Sequence, residues 1–300
     1  MARILVSGAS GFIGKPLVSF LNSTGYSVFQ LVRSSAISTP NSIFWNPEAG
    51  EANEKDFEDF EAVIHLAGEP LTLSRWSNEK RKKILQSRTT GTMFLSHLLS
   101  AVRNPPRLFV SASAIGYYGD RGEEILNEES GPGSGFLSHV CCAWEKGSFA
   151  IHVKGSRVVQ ARFGMVLGSN GGALQKMLTA YRFGLGGKLG SGRQWVSWVH
   201  REDLIQSIFH IIKNESLKGP VNIVSPCPVR QEDFSSTLAS LLHRPHFFKV
   251  PAWALRLALG VMAKEMILAS TRVDCAKLLA SNFSFIYPDL RSALYQALQT

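Results

Sequence analysis

The first thirty-three residues constrain this chain more than any other stretch. Arg3-Ile4-Leu5-Val6 is an apolar run of strand type, and Ser7-Gly8-Ala9-Ser10-Gly11-Phe12-Ile13-Gly14 is a glycine-rich turn. A helix-like segment then reaches Asn22, and Tyr26-Ser27-Val28-Phe29-Gln30-Leu31-Val32 is a second apolar run that closes on Arg33. Strand, glycine turn, helix and strand in that order read as a βαβ unit with a phosphate-binding turn. Gly8 permits the positive φ needed as the chain leaves the strand, and Gly11 lets backbone approach a pyrophosphate. Gly14 lets the helix pack closely. The helix N-terminus then presents free N–H groups and its positive dipole end to an anion. A glycine-rich turn in some other α/β fold is the alternative. The placement between two strand-type runs, with a charged residue closing the second, favours a dinucleotide.

Arg33 narrows the cofactor. An acid at that place accepts hydrogen bonds from the adenosine ribose, whereas a guanidinium suits a 2′-phosphate and favours NADP over NAD. The competing reading is a solvated arginine that starts the Ser34-Ser35 loop. The chain of 300 residues has an ordinary globular composition and a formal charge of +9. Its cations are scattered apart from Lys80-Arg81-Lys82-Lys83, and no basic run is interleaved with aromatics. No nucleic-acid partner is therefore expected, and the charge suits a phosphate-rich cofactor and an anionic small-molecule substrate. Met1-Ala2-Arg3 leads directly into the first strand, so no targeting peptide is expected. Ala252 to Ser270 is interrupted by Arg256, Lys264 and Glu265, which excludes a membrane span, and no membrane partner is expected. Cys141, Cys142, Cys227 and Cys275 lack CxxC spacing. Free, mostly buried thiols in a reducing cytoplasmic compartment are expected, with no metal site.

Further along, Ala62-Val63-Ile64-His65-Leu66-Ala67-Gly68 is a buried-strand pattern ending in small residues, which leave room for a cofactor. Asn78 to Val102 reads as a long helix with Lys83 and Arg88 near its start. Arg107 to Ala114 is a strand, Glu123 to Gly135 a loop, Phe136 to Ile151 a helix and Val158 to Phe163 a strand. Beyond Gly168 the texture changes. Gly171-Gly172 opens a helix to Phe183, Gly184 to Gly192 is a glycine-rich loop, and Trp195 to His200 is a strand. A helix from Leu204 to Lys213 and a strand at Val221 to Val224 follow, and Gln231 to Gln299 is largely helical. Alternating strands and helices demand a parallel sheet covered on both faces. The expected fold is α/β, a Rossmann-type doubly wound parallel sheet with a smaller C-terminal α/β cap. Residues 1–168 form the NADP-binding domain, and 169–300 form a mostly helical substrate-side cap with some strands returning to the main sheet.

These motifs resemble those of the extended short-chain dehydrogenases/reductases. The likeness rests on the Gly8–Gly14 turn, His65-Leu66-Ala67-Gly68, Ser111-Ala112-Ser113 through Tyr117, and Trp198-Val199-His200 with Asp203-Leu204. Leu66 to Pro70, Arg75-Trp76, Ser87-Arg88, Trp144-Glu145, Arg162 to Gly168, the Gly184–Gly192 loop and Tyr287-Pro288 resemble one atypical, nucleotide-sugar-epimerase-like subfamily. The resemblance covers nearly the whole chain. It implies that Gly8, Ser10, Gly11, Phe12, Ile13 and Gly14 hold the pyrophosphate, with Val32 and Arg33 at the adenosine end. It further implies that Leu66, Ala67 and Gly68 line the ribose and adenine side with Lys83 and Arg88 behind them, and that Ala112 and Val166 flank the nicotinamide.

The catalytic pair of that family is missing. There a tyrosine exchanges a proton with the substrate oxygen, and a lysine four residues later lowers its pKa and binds the nicotinamide ribose. An acid usually lies eight residues past the tyrosine. Counting back from Glu145 puts Leu137 and Cys141 in those places, and neither can do that chemistry. Ser113 matches the family's active-site serine, and Tyr117 or Tyr118 close behind it is a substitute proton donor or a packing residue. Glu69 is a candidate acid/base if the cleft desolvates it. His200 is expected to fix the loop between cap and sheet, and Cys141 to be apolar filler. Two functions follow. One is an NADP-dependent oxidoreductase or epimerase-like enzyme acting on a carbonyl/alcohol, sugar-nucleotide-like substrate through Ser113 and Tyr117. The other is a catalytically silent NADP(H)-binding sensor or scaffold. A monomer or a homodimer is the family-level expectation.

Overall fold

Ile4, Leu5 and Val6 have no solvent exposure in the computed structural model, which describes residues 1–34 and 39–299. A strand buried on both faces is what a continuous aliphatic run produces under two layers of helix. It is β1 (Arg3–Ser7), followed by α1 (Gly14–Ser23) and β2 (Ser27–Val32). Ser35 of the expected Ser34-Ser35 loop lies outside the described residues. Then come β3 (Ser42–Asn46), a short β4 (Glu51–Ala52), β5 (Ala62–His65), α2 (Asn78–Ala101) and β6 (Leu108–Ala114). Next are a two-residue β7 (Ile125–Leu126), α3 (Phe136–Lys146), α4 (Phe149–Val153) and β8 (Arg157–Phe163). The chain continues through β9 (Met165–Leu167), α5 (Gly172–Arg182), β10 (Gly187–Leu189) and β11 (Trp195–Val196). β12 (Trp198–His200), α6 (Arg201–Lys213) and β13 (Gly219–Ile223) complete this part.

The central sheet has eight strands in the order β13-β8-β6-β5-β1-β2-β3-β4. Its neighbours are parallel except for the β3–β4 pair. From β1 the chain winds outward to β3 and β4, then crosses to β5 and builds the other side. The switch point therefore lies between β1 and β5, where ligands of open α/β sheets bind beyond the strands' C-terminal ends. One face is covered by α1 and α6 through Leu17, Leu21, Leu204 and Ile208, the other by α2 through Leu95 and Leu99 against Phe57 and Phe109. The fold is thus the doubly wound parallel sheet that the strand–helix alternation demanded.

The rest comprises β14 (Val229–Arg230), α7 (Gln231–Leu241), β15 (Phe248–Val250), α8 (Ala252–Leu259), β16 (Arg272–Val273), α9 (Ala276–Ala280) and α10 (Leu290–Gln299). Helices α5, α7 and α10 pack around the fully buried Trp198. Four local expectations are corrected. The 136–151 helix breaks after Lys146, where Gly147 lies so close to Thr92 that an added Cβ would sit 3.0 Å from that side chain. The 195–200 strand splits at Ser197. Its first half pairs antiparallel with β14, its second parallel with β9, and Ser197 turns its hydroxyl to the backbone of Thr271 and Val273. The 184–192 loop contains β10, which pairs with β15, and the 123–135 loop contains β7, which pairs with β16. Among the described residues no helix is long and apolar enough to cross a membrane.

A buried hydrogen-bond knot ties the two strands at the switch point. Ser7 Oγ accepts from the amides of Leu66 (3.1 Å) and Ala67 (3.2 Å), so its own proton goes to His65 Nδ1 at 2.6 Å. His65 is thereby the Nε2–H tautomer. That N–H has no hydrogen-bond partner among the described residues, and its ring meets Trp45 edge to face at 5.9 Å. Burial pulls the His65 pKa down to about 4, whereas the unfolded chain titrates near 6.5 at this position. Between those values the unfolded chain takes up a proton that the folded chain refuses, so stability falls as pH drops through that window. From pH 7 to 5 the wild-type chain should lose about 2 kcal/mol more stability than His65→Asn, read as urea midpoints. Equal losses would remove His65 from the pH dependence.

Candidate active site

The glycine turn is shaped by three near-contacts. Gly8 has φ +69°, and a Cβ there would stand 2.9 Å from Ala67 N, so the turn after β1 lies directly on the turn after β5. Gly11 N donates to Gly8 O at 3.0 Å. A Cβ on Gly14 would stand 2.1 Å from Gly8 O, so only glycine lets α1 begin there. The close approach that Gly14 permits is thus to the turn itself. Helix α1 has no side-chain cap and no acid in its first turn, and Pro16 lies within it. The amides of Phe12, Ile13 and Gly14 form no hydrogen bond among the described residues. Three unpaired donors at a positive dipole end are free to receive an anion. Ser10 and Gly11 are exposed beside them. The Phe12 ring turns away, packs on Gly168, Gly171 and Gly172, and carries the Arg201 guanidinium 5.0 Å from its centre. Phe12 therefore offers a ligand its backbone, while its side chain docks the turn onto the second half of the chain.

At the end of β2, half-buried Val32 leads to exposed Arg33. The charges of Lys80, Lys83 and Arg33 all act on the Glu69 carboxylate, so these cations converge on one region. Lys80 Nζ bonds Glu69 Oε1 at 2.6 Å. That hydrogen bond, opposed by slight burial and helped by the three charges, holds the Glu69 pKa below the ordinary carboxylate value. Glu69 is thus an ionised, paired carboxylate, which corrects its reading as a desolvated acid/base.

Ser7, His65 and Ser111 lie in register across β1, β5 and β6, so the residues that follow them line one edge. Leu66 and Ala67 are half-buried there, Gly68 is exposed and Ala112 is buried. Val166, on β9 opposite Val199, stands across the crevice. Beneath Gly68 lies Arg88, whose Nη1 donates to Glu69 O (3.1 Å) and Ile84 O (3.2 Å). Its guanidinium lies 5.0 Å from the Trp144 ring centre, and burial lowers its pKa. Lys83, one turn earlier, is exposed.

Beyond β6 the side chains form one buried network. Ser113 Oγ donates to Glu145 Oε1 at 2.7 Å. Glu145 and Arg162 make a two-pronged ion pair, Nε to Oε1 and Nη2 to Oε2, both at 2.8 Å. Arg162 Nη1 donates to Tyr118 OH at 2.9 Å, and Tyr118 donates onward to Asn222 Oδ1 at 2.7 Å. Burial pulls the Arg162 pKa down, but the Glu145 hydrogen bonds and charge, with Tyr118, more than reverse it. Burial raises the Tyr118 pKa, against the pull of Arg162, so this phenol stays protonated. Tyr117 lies flat over Arg162, with the guanidinium carbon 3.5 Å from its ring centre. Tyr118 is therefore a structural donor, and Tyr117 is half-buried at the edge of the cleft with no hydroxyl partner among the described residues.

Leu137 and Cys141, the residues reached by counting back from Glu145, both lie against the turn after β6. A Cβ added to Gly116 would lie 3.4 Å from Leu137 Cβ and 3.8 Å from Cys141 Sγ, so both residues of α3 face the turn after β6. Cys141 is buried, and burial, helped by Glu145, pushes its thiol up to about 12. His200 accepts from Glu202 N at 3.3 Å as the N-cap of α6, and burial, then Arg201, lowers its pKa to about 4. It fixes the entry to α6. Sequence reasoning quoted Glu145 and Arg162 without giving them a role. An arginine inside an apolar strand is the signal that exposes such a pair, because a buried charge requires a partner. Gly14→Ala should cost about 2 kcal/mol of unfolding free energy, and Gly11→Ala, at negative φ with 3.1 Å to Gly8 O, less than about 1. Urea melts of both variants test this, and similar losses would contradict the turn geometry.

Comparison with known proteins places the chain. Residues 4–224 match the model of the "NAD dependent epimerase/dehydratase family", and residues 250–297 match a "Domain of unknown function (DUF1731)". The chain is 34% identical over 296 residues to "Epimerase family protein ML0860" of Mycobacterium leprae, covering 99% of this chain and 95% of that one. It is 36% identical over 298 residues to "Epimerase family protein YfhF" of Bacillus subtilis, covering 98% and 97%. The crystal structure of human epimerase family protein SDR39U1 (isoform 2) with NADPH superposes with a TM-score of 0.89 at 30% identity over 99% of both chains. With a family model spanning most of its length and relatives matched end to end, this chain belongs to the NAD dependent epimerase/dehydratase family.

Proposed function

We propose that this chain binds NADP(H) across the β1/β5 switch point. We propose further that it acts as an NADP-dependent oxidoreductase or epimerase-like enzyme on a carbonyl/alcohol, sugar-nucleotide-like substrate. The observation that carries this reading is the set of unpaired amides at Phe12, Ile13 and Gly14, with Arg33 and Lys83 beyond them. The amides fit a pyrophosphate, and the two cations fit a 2′-phosphate. NADPH in the structure of the human relative supports the same choice. In this reading residues 1–168 hold the cofactor and 169–300 carry the substrate side. The substrate is an anionic small molecule, and the four free thiols suit a cytoplasmic location.

Bound NADP(H) supplies hydride exchange at the nicotinamide C4. Leu66, Ala67 and Gly68 line its ribose side, and Ala112 and Val166 flank the nicotinamide. The absent lysine leaves a positive charge to be found, and the charge of Arg88 acts on the Cys141 thiol. In this reading Arg88, on α2 beneath Gly68, stands in for the cation that the family draws from α3. Ser113 donates its hydrogen bond to the Glu145 carboxylate, so its oxygen lone pairs are oriented to accept a hydrogen bond from a substrate hydroxyl. Tyr117, whose hydroxyl is unpaired among the described residues, supplies the second proton-bearing group. One observation favours a second reading, a catalytically silent NADP(H)-binding sensor or scaffold. Counting back from Glu145 puts Leu137 and Cys141 on α3 where the family carries its tyrosine and lysine.

Two measurements test these readings. Arg33→Asp should weaken NADPH binding about tenfold or more and NADH binding hardly at all. Equal losses would remove the 2′-phosphate assignment. NADPH consumption against a panel of aldehydes, ketones and sugar nucleotides should show turnover that Ser113→Ala abolishes. Tight NADPH binding with no turnover across the panel would select the sensor.

A further inference from the structure

One margin of the molecule combines exposed apolar side chains with positive charge that forms no ion pair among the described residues. Helix α8 has the sequence Ala-Trp-Ala-Leu-Arg-Leu-Ala-Leu and buries none of its residues fully. Trp253 and Leu257, one turn apart, are 69% and 71% exposed. Phe247 and Phe248 stack at 4.7 Å beside the start of β15, and Phe247 is 68% exposed. Phe183 and Leu185 precede β10, which pairs with β15 from Gly187↔Phe248 onward. A Cβ on Gly184 would touch Pro245, and one on Gly190 would lie 3.7 Å from Ala252 Cβ. These contacts set the 183–185 turn, the phenylalanine pair and the start of α8 side by side. Exposed apolar residues scattered singly need no explanation, but a contiguous group marks an interaction surface.

The charge of this margin selects the partner. From residue 234 to residue 264 the sequence has no aspartate or glutamate, while it holds Arg244, Lys249, Arg256 and Lys264. All four cations are exposed, as is Arg182 beside Phe183, and none forms an ion pair among the described residues. A second copy docking through the same face would bring like charges together, which is destabilising without counter-ions. Tryptophan, phenylalanine and leucine projecting between lysines and arginines are instead the pattern of a helix lying in the plane of an anionic bilayer.

We infer that the face formed by the 183–185 turn, Phe247–Phe248 and α8 docks on an anionic phospholipid surface. The apolar side chains enter the headgroup boundary, and Arg182, Arg244, Lys249 and Arg256 meet the lipid phosphates. The sequence excluded a spanning segment, and this association is peripheral.

Sedimentation of the full chain with vesicles tests the inference. Phosphatidylcholine vesicles containing about a third phosphatidylglycerol should bind it about tenfold more tightly than pure phosphatidylcholine, with loss in high salt. Trp253→Ser with Leu257→Ser, at exposed positions, should abolish the binding while leaving the thermal midpoint unchanged. Arg256→Glu with Lys249→Glu should abolish the preference for anionic lipid. No vesicle binding, or equal binding to both lipids, would overturn the inference. So would a concentration-dependent dimer of the wild-type chain, lost in the Trp253/Leu257 variant, because the face would then belong to a second copy.

Discussion

The ion pair between Glu145 and Arg162 is the interaction that organises the C-terminal ends of β6 and β8. It joins α3 to β8, and through Ser113 it reaches the end of β6. Through Tyr118 and Asn222 it reaches β13 at the sheet edge. A buried charge pair is costly to desolvate and is stable only when its remaining donors and acceptors are satisfied. Here Arg162 uses all three guanidinium nitrogens, and the Tyr117 ring covers its face. The network holds α3 with its Leu137–Cys141 side against Gly116.

Binding and chemistry are consequently separate properties of this fold. The binding half follows from backbone: a left-handed Gly8, a Gly14 with no room for a methyl group, and three amides left unpaired. None of those features requires a particular side chain beyond glycine, and they survive any change on α3. The proposed chemistry depends instead on side chains gathered from β6, α2, α3 and β8, which only the tertiary fold brings together. Arg33, just after β2, and Lys80 and Lys83 on α2 keep the region around Glu69 electropositive.

The parts legible in the sequence are those whose cause is local. Strand runs, the glycine turn and the long α2 are set by neighbours in the chain, and they stand where periodicity places them. Leu137 and Cys141 were identified by counting along one helix, and the structure shows both facing the turn after β6. What was not legible depends on partners far away. Ser197 splits a six-residue run because its two halves find different strands, β14 and β9. Glu69 is an ion-pair member because α2 brings Lys80 to it. Glu265 caps the Phe136 and Leu137 amides at 2.7 and 2.6 Å from more than a hundred residues downstream. The Ser7–His65 knot likewise needs β1 and β5 to be neighbours before either side chain acquires its role.

A crystal structure of this chain with NADPH tests the central claim most directly, namely that backbone at Phe12–Gly14 binds the dinucleotide and Arg88 replaces the absent lysine. The predicted result has the pyrophosphate on the amides of Phe12, Ile13 and Gly14. It also has the 2′-phosphate on Arg33 and the Arg88 guanidinium within hydrogen-bond reach of the nicotinamide ribose. A dinucleotide lying elsewhere, or an Arg88 bonded only to Glu69 and Ile84 with the ribose facing no cation, would contradict it.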